Sequence, residues 1–539
     1  MVNGYIIALV VLVAWTALLF YLKKKDILQK YNMSNWGPFI MWRTQKGKDL
    51  IERLSRPKRF WNGYAALSKA IVVVTMAFMV GLLVWEAFLV SRIPAESAPG
   101  PEMMLGLPGI NPLIPIWYGI LGLVIAIVVH EYAHGILTRV SDIAVKSLGL
   151  VFVVFPMGAF VEPDEEAISK TARKKRMNIY AVGPATNIIL AFLFAFLFAS
   201  VAVASVEPVD DGPVVLGVLN GSPADMAGIG YGYQVLKLNG VYIDSIDSWY
   251  KAPSVQPGDN VTLTYYYKGE EGVRTVTSGL ILTGVSSGRP AYEAGMRSGM
   301  MIVSLNNTPI RNDQDLKDAL DKTQPGQRVN VTVWSFDPTS NIWYVEEGIT
   351  NVTLDSKLQY YKDNNIAIPE DFKDIGFLGI NSAYLGISVM EPKEILAWLR
   401  DPYDGVTDAG GFFQASLRYI ALPFYGLAPV ESPLTDLFQP TGMFEWMGAG
   451  MFWTFSNCLY WIFWINLMVG LTNALPAVPM DGGVIFKDGL DGLIMRFKKN
   501  ATEEERKAIS ARIGKFATFI ALFILFLIIW QMIGPRILG

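Results

Sequence analysis

Six long apolar stretches constrain the fold of this 539-residue chain more than any other feature. Each is long enough to cross a bilayer, which takes about 20 residues at 1.5 Å each. Lipid offers the backbone no hydrogen bonds, so such stretches are expected to be helices. With 52% hydrophobic and 17% charged residues, the composition favours a polytopic α-helical membrane protein, and a net charge of −3 does not indicate a nucleic-acid partner. The predicted spans lie near 4–22, 70–90, 113–138, 178–204, 447–475 and 516–534.

Basic residues predict the orientation of these spans. The loop 23–62 carries 11 Lys and Arg, the loop 92–112 carries one, and the stretch 477–515 carries eight. Because basic loops stay in the cytoplasm, both termini and the polar block 206–440 are expected outside it. The predicted membrane parts are 1–62 (first span and basic loop), 63–205 (membrane core) and 446–539 (the last two spans).

The polar block matches itself at an offset of 67 residues. The string GSPADMAG at 221–228 aligns with GRPAYEAG at 288–295. Each copy predicts a strand, a turn, a short helix ended by glycine, and a second strand. The pattern resembles tandem PDZ domains of the circularly permuted bacterial type, here 210–279 and 280–355.

That resemblance implies two extracytoplasmic α+β domains, and it leaves their role open. They could bind peptide termini by strand addition, or they could only screen out large ectodomains. The segment 356–445 is predicted as an extracytoplasmic or interfacial linker. Within it, 377–380 is a candidate last strand of the second domain, and 411–426 is either an interfacial or a re-entrant helix.

The chain has only two histidines, His130 and His134, and they lie four residues apart in the string HEYAH. This spacing places both imidazoles on one helical face, with Glu131 beside the first, in the HExxH pattern of zinc peptidases. Residues 113–129 carry no charge, so the motif lies at membrane depth, where ionisable groups are costly and usually functional. In a helix over 116–139, the two histidines lie about 7 and 13 Å before its inner end.

A catalytic zinc site needs a third protein ligand from another segment. Asp481 is the candidate, since it follows Pro476 and precedes two glycines near the predicted cytoplasmic end of the fifth span. The alternatives are that Asp481 caps the helix after it, and that Glu162 is the third ligand instead.

Several linked motifs resemble the site-2 protease family of intramembrane zinc metallopeptidases, in its prokaryotic, archaeal type with a tandem PDZ insert. They are HExxH, the string 473–482 (Asn-x-x-Pro-x-x-x-x-Asp-Gly), GPATN at 183–187 and GAFVEPDEE at 158–166. The resemblance implies zinc bound by His130, His134 and Asp481, with Glu131 as general acid and base. Asn473 is predicted to contact the substrate or the transition state, where its amide could stabilise an oxyanion. The alternative for Asn187, Asn466 and Asn473 is a plain interhelical hydrogen bond.

The expected function is therefore a zinc metalloendopeptidase that cleaves single-span membrane proteins, which the family resemblance implies are already trimmed outside. The β-rich stretch 147–155 is predicted to form a membrane-level hairpin that either pairs with unwound substrate or is a plain buried strand pair. The competing functions are a non-catalytic membrane scaffold with a structural metal and PDZ modules, and a metal transporter. Intact Glu131 argues against the first, and the single ligand cluster argues against the second.

Overall fold

The computed structural model describes the chain except for residues 1–3, 91–99, 105, 154, 252–254, 348, 350, 365, 367, 370–371 and 539. The chain divides into two compact units. The membrane unit comprises Met1–Phe198, Pro423–Pro429 and Phe455–Gly539. The sheet unit comprises Ala199–Leu422 and Val430–Thr454.

Of the described helices, five are long and apolar enough to cross a membrane. They are Lys58–Leu89, Ile116–Val140, Arg173–Ser205, Gly442–Asn473 and Glu503–Leu538. The first predicted span is also a helix, Gly4–Lys24, with no charged residue before Lys23, and the count of six spans stays a prediction. The second and last begin 12 and 13 residues before the predicted 70–90 and 516–534, because polar, charged turns continue each helix beyond its apolar part. Shorter helices in the membrane unit are Ile27–Lys30, Lys48–Ser55, Glu165–Lys170 and Asp481–Phe497.

Small residues bring the helices of the membrane unit close together. A Cβ on Gly122, in the helix Ile116–Val140, would lie 2.8 Å from the carbonyl oxygen of Trp461. A Cβ on Gly470 would lie 3.1 Å from the carbonyl oxygen of Pro184. Glycines at such crossings let helix backbones approach closely, as is typical of membrane helix packing.

A four-stranded antiparallel sheet completes the membrane unit. Its strands, in spatial order, are Met33–Trp36, Phe39–Thr44, Val145–Val153 and Phe155–Pro163. The last two strands form a hairpin that is longer than the predicted 147–155 and extends from Val145 to Pro163. The first two form a hairpin inside the basic loop 23–62, where the sequence predicted no strand. The indole Nε1 of Trp15 donates to the carbonyl oxygen of Pro38 (2.8 Å), which places the turn of this hairpin beside the middle of the first helix.

The sheet unit contains two six-stranded sheets with corresponding strand orders. In the first, the order is Glu270–Thr277, Asn260–Tyr267, Gln234–Leu238, Val214–Val218 and Ile387–Met390, with Val241–Tyr242 beside the third. In the second, the order is Ile342–Val345, Val331–Asp337, Met301–Leu305, Leu280–Val285 and Ile380–Tyr384, with Thr308–Pro309 beside the third. One hydrophobic cluster joins the two sheets, with Trp249 and Tyr384 among its buried members.

The last strand of each sheet comes from the segment predicted as a linker. Ile380–Tyr384 pairs with Leu280–Val285, and Ile387–Met390 pairs with Val214–Val218. The boundaries drawn at 279 and 355 therefore omit one strand of each sheet, and 356–445 is only partly a linker. The candidate last strand of the second domain, 377–380, overlaps the observed strand Ile380–Tyr384 only at its end. The strand Ile387–Met390 was not predicted, because it pairs with residues about 170 positions earlier in the chain.

Short elements complete the sheet unit. The short helices Pro223–Met226 and Pro290–Glu293 each end before a glycine of positive φ, Gly228 or Gly295, as the sequence predicted. Within 411–426 lies part of the helix Ala409–Ile420. The other helices are Ile246–Tyr250, Asp313–Leu320, Lys357–Asp363 and Pro392–Arg400. Paired short strands are Val206–Pro208 with Phe438–Pro440, Arg328–Val329 with Val352–Thr353, and Asp355–Ser356 with Gly376–Phe377.

Candidate metal centre

The two histidines project from one face of the helix Ile116–Val140, as their spacing predicted. Their Nε2 atoms are 3.1 Å apart, and the ring planes are inclined at 77°. The side chains are 9% and 15% exposed, so neither ring has more than marginal access to solvent. Two ring nitrogens this close in a buried site favour a shared cation between them.

The orientation of His134 depends on a neighbouring helix. Its Nδ1 lies 2.6 Å from the carbonyl oxygen of Ile179, in the helix Arg173–Phe196. A carbonyl can only accept, so Nδ1 carries the proton and the lone pair of Nε2 is left for a metal. A hydrogen bond to the second ring nitrogen is the usual way in which a protein fixes a metal-binding histidine.

Asp481 completes the cluster from the other end of the sequence. Its Oδ2 lies 3.1 Å from the Nε2 of both His130 and His134. The N-cap of the helix Asp481–Phe497 is Met480, and no side chain caps it, so the capping alternative for Asp481 is wrong. The next residue, Gly482, permits this placement, because a Cβ there would lie 2.3 Å from the carbonyl oxygen of Ala474.

The three atoms fit a zinc ion. They form a near-equilateral triangle with sides of 3.1 Å. A tetrahedral zinc ion with bonds of about 2.0–2.1 Å sets its ligand atoms about 3.3 Å apart, close to the observed spacing. Gly183 leaves room beside the cluster, since a Cβ there would lie 2.4 Å from Nε2 of His134 and 2.8 Å from Nε2 of His130. Two imidazoles and one carboxylate are also the ligand set of known catalytic zinc sites.

Glu131 contacts the four-stranded sheet. Its Oε2 accepts a hydrogen bond of 3.0 Å from the backbone N–H of Val161, in the edge strand Phe155–Pro163. This contact holds the carboxylate next to the histidines without making it part of the group that could hold a metal ion, which consists of His130, His134 and Asp481. The sequence offered no signal for it, because the donor is a backbone atom.

Glu162 does not serve as the third ligand. Its carboxylate accepts a hydrogen bond from the Nε of Arg43 (3.2 Å) and another from the hydroxyl of Ser147. The alternation of side chains along a strand explains this placement. The side chain of Val161 faces the helix with the histidines, since a Cβ on Gly135 would lie 3.2 Å from its Cγ1, so the next side chain, that of Glu162, lies on the opposite face of the sheet. The Glu162 alternative is therefore wrong.

Two of the three asparagines form a hydrogen bond within their own helix, and the third does not. The Nδ2 of Asn473 donates to the carbonyl oxygen of Val469 (3.0 Å), and that of Asn466 donates to Ile462 (2.8 Å), four residues earlier in the same helix. Asn187 is fully buried, and neither of its polar side-chain atoms has a hydrogen-bond partner among the described residues. The predicted role of Asn473 towards substrate stays a prediction.

Comparison with known proteins agrees with this geometry. The model of peptidase family M50 matches residues 118–526, a range that includes all three candidate ligands and Glu131. An uncharacterized protein of the archaeon Methanocaldococcus jannaschii, MJ0971, is 34% identical over 189 residues, which are 34% of this chain and 48% of that protein. The chain thus spans about half the length of this relative. Because the family match covers well over half of the chain, the chain belongs to peptidase family M50, the site-2 protease family of membrane metallopeptidases.

Proposed function

We propose that this chain is an intramembrane zinc metalloprotease that hydrolyses peptide bonds within or near the transmembrane segments of other membrane proteins. The convergence of His130, His134 and Asp481, with 3.1 Å between each pair of ligand atoms, is the observation that carries the proposal. The helix that bears both histidines is one of the five candidate spans, which supports chemistry at membrane depth.

In this proposal, each group near the cluster has a separate task. His130, His134 and Asp481 would hold a zinc ion, which would supply Lewis acidity towards water and towards the scissile carbonyl. Glu131 takes the proton of the attacking water and passes it to the leaving amine. Its Oε1 is the atom that carries this proton, because Oε2 accepts the N–H of Val161. Asn473 reaches an oxyanion only if its amide leaves the carbonyl of Val469.

Metal analysis combined with one isosteric variant tests the proposal. Purified wild-type protein should contain about one zinc per chain and cleave a generic single-span substrate in detergent or liposomes. The Glu131→Gln variant should keep the zinc and lose cleavage, since only the proton carrier changes. A wild-type protein that binds zinc but cleaves no membrane substrate would instead favour the scaffold function, and one that binds no zinc would refute the site.

The edge strand Phe155–Pro163 supports a proposal for substrate positioning. The N–H of Val161 points away from the neighbouring strand, towards Glu131, so by alternation the N–H of Ala159 points the same way. We propose that unwound substrate pairs along this edge, next to the proton carrier. Edge pairing leaves the substrate backbone extended, as a protease requires.

Two proline substitutions test the pairing. Ala159→Pro removes an outward N–H, whereas Phe160→Pro removes one that faces the neighbouring strand. Ala159→Pro should reduce cleavage of a membrane substrate while the sheet stays intact by circular dichroism. Phe160→Pro reports the effect of damaging the sheet itself. Unchanged cleavage by a folded Ala159→Pro variant would remove the pairing proposal.

The two six-stranded sheets support a role as PDZ-like gates. Val214, in the first strand of the first sheet, pairs with Met390, in its last strand, so the chain enters and leaves the two sheets at adjacent points. Replacing 215–389 by a short Gly-Ser linker therefore removes both sheets without stretching the chain, and it keeps Pro423–Pro429, which belongs to the membrane unit. We expect the shortened protein to cleave substrates that still carry their ectodomains, which the full chain spares. Equal selectivity of both proteins would refute gating.

The orientation is also proposed, from the basic residues of 23–62 and 477–515. It places the termini and the sheet unit outside the cytoplasm and the metal centre nearer the cytoplasmic side. The variants Lys46→Cys and Asp318→Cys, each in a Cys458→Ser background, test the orientation with a membrane-impermeant maleimide on intact cells. We expect labelling of the Asp318→Cys variant only, and labelling of the Lys46→Cys variant only would show the opposite orientation.

A further inference from the structure

Two ion pairs join the helix that begins at Asp481 to the helix Arg173–Phe196. Arg176 contacts Asp488 with two parallel hydrogen bonds, Nε to Oδ2 at 2.6 Å and Nη2 to Oδ1 at 2.7 Å. Arg173 contacts Asp491. Both aspartates are buried, with exposures of 5% and 9%. Forked contacts of this kind fix the relative geometry of two groups as well as attracting them.

The two ion pairs fix how the two helices are aligned, and this alignment places Asp481 at the metal centre. The helices run antiparallel, because Arg173 faces Asp491 and Arg176, three residues later, faces Asp488, three residues earlier. Seven residues further along the same register, Gly183 comes opposite Asp481. Gly183 does lie beside this cluster, since a Cβ on it would be 2.4 Å from Nε2 of His134 and 2.8 Å from Nε2 of His130. Seven residues are about two helical turns and about 10 Å, so Asp481 and Asp488 lie on the same face of their helix.

The same helix also orients a histidine ligand. The carbonyl oxygen of Ile179, one turn after Arg176, accepts the proton of His134 Nδ1 at 2.6 Å. Thus His134 is oriented by one turn of the helix Arg173–Phe196, and the segment with Asp481 is attached to the turn before it. A one-residue slip between the helices would move Asp481 by about 1.5 Å, whereas a metal site tolerates about 0.2 Å.

We propose that Arg176 and Asp488, supported by Arg173 and Asp491, are positioning residues that hold Asp481 in register with the two imidazoles. They touch neither substrate nor metal, and they act through the helix that carries Asp481. This inference rests on the proposed function, since it assumes a metal at the cluster. Its consequence is that metal affinity and metal geometry depend on charges about 10 Å away.

The test measures the metal itself. Asp488→Asn keeps the shape and removes the charge, Arg176→Lys keeps the charge and removes the fork, and the exchange Arg176→Asp with Asp488→Arg restores a pair. Glu166→Gln is the matched control, because its pair with Lys170 is exposed on both sides. Zinc affinity is read by competition with a chromophoric chelator, and Co²⁺-substituted protein reports coordination geometry by its visible absorption band.

We expect Asp488→Asn and Arg176→Lys to lower zinc affinity by about 10–100-fold and to alter the Co²⁺ band, as changes behind a metal ligand do. The exchanged pair should recover both readouts in part, and Glu166→Gln should match the wild type. If Asp488→Asn fails to fold, Arg176→Lys decides. Unchanged affinity and Co²⁺ band in the folded variants, even with lowered thermal stability, would overturn the inference. A wild-type protein that binds no metal would refute the proposed function instead.

Discussion

Gly183→Ala is expected to disable the metal centre by adding one methyl group. The new Cβ would lie 2.4 Å from Nε2 of His134 and 2.8 Å from Nε2 of His130. Non-bonded heavy atoms prefer separations of about 3.5 Å, so the ring of His134 must move by about 1 Å. That shift is about five times the 0.2 Å that metal–ligand distances tolerate. Substitutions behind a metal ligand typically lower metal affinity by about 10–100-fold. We expect Gly183→Ala to lower zinc affinity by at least this much.

Chelator competition on the purified protein measures this loss, and Gly81→Ala is the control. Gly81 also lies in a candidate span, but a Cβ there would meet nothing within 4 Å. It should therefore leave zinc affinity and cleavage unchanged. Helix content by circular dichroism should be the same for both variants, since overpacking at one position costs about 1–3 kcal/mol. Wild-type zinc affinity in a folded Gly183→Ala variant would refute the deduced position of the metal.

Three further outcomes are expected. Asp481→Asn removes the only anionic ligand, so zinc should be lost on dialysis, whereas wild-type protein stripped by a chelator should regain cleavage when zinc is added back. Trp249→Ala should destabilise the first sheet by about 3–5 kcal/mol, because the indole is buried against Tyr384 with ring centres 5.4 Å apart, and hydrogen exchange would show this without a change in zinc content. Burial raises the pKa of Asp313 from 3.8 to about 6, so the folded state favours the protonated form. The contribution of the protonated carboxyl to the free energy of unfolding is complete below pH 4 and is lost as the pH rises through about 6, by at most about 3 kcal/mol. Asp313→Asn should therefore remove this pH dependence from the amide hydrogen exchange of the strand Ile380–Tyr384.

The parts of the molecule that the sequence predicted correctly depend on short-range patterns. A long stretch without charged residues can be predicted as a membrane helix without knowledge of its contacts, and two histidines four residues apart in a helix must share a face. The turn after Pro476 and the two glycines after Asp481 likewise act within a few residues of the carboxylate that lies beside the two histidines. The oxygen that orients His134 could not be predicted, since it belongs to the backbone of Ile179 and backbone atoms carry no residue-type signal.

The unpredicted hairpin and the rejected ligand have one cause. The strand Phe39–Thr44 pairs with Val145–Val153, about 100 residues away, and no local pattern announces such a pairing. That pairing brings Arg43 to Glu162, where a guanidinium and the hydroxyl of Ser147 satisfy the carboxylate. Without the hairpin, Glu162 is a free carboxylate close in sequence to the histidines, and only the position and motif of Asp481 favour the more distant residue. In the structure the partners of each carboxylate separate them, since Glu162 contacts Arg43 and Ser147 whereas Asp481 lies 3.1 Å from the Nε2 of both histidines.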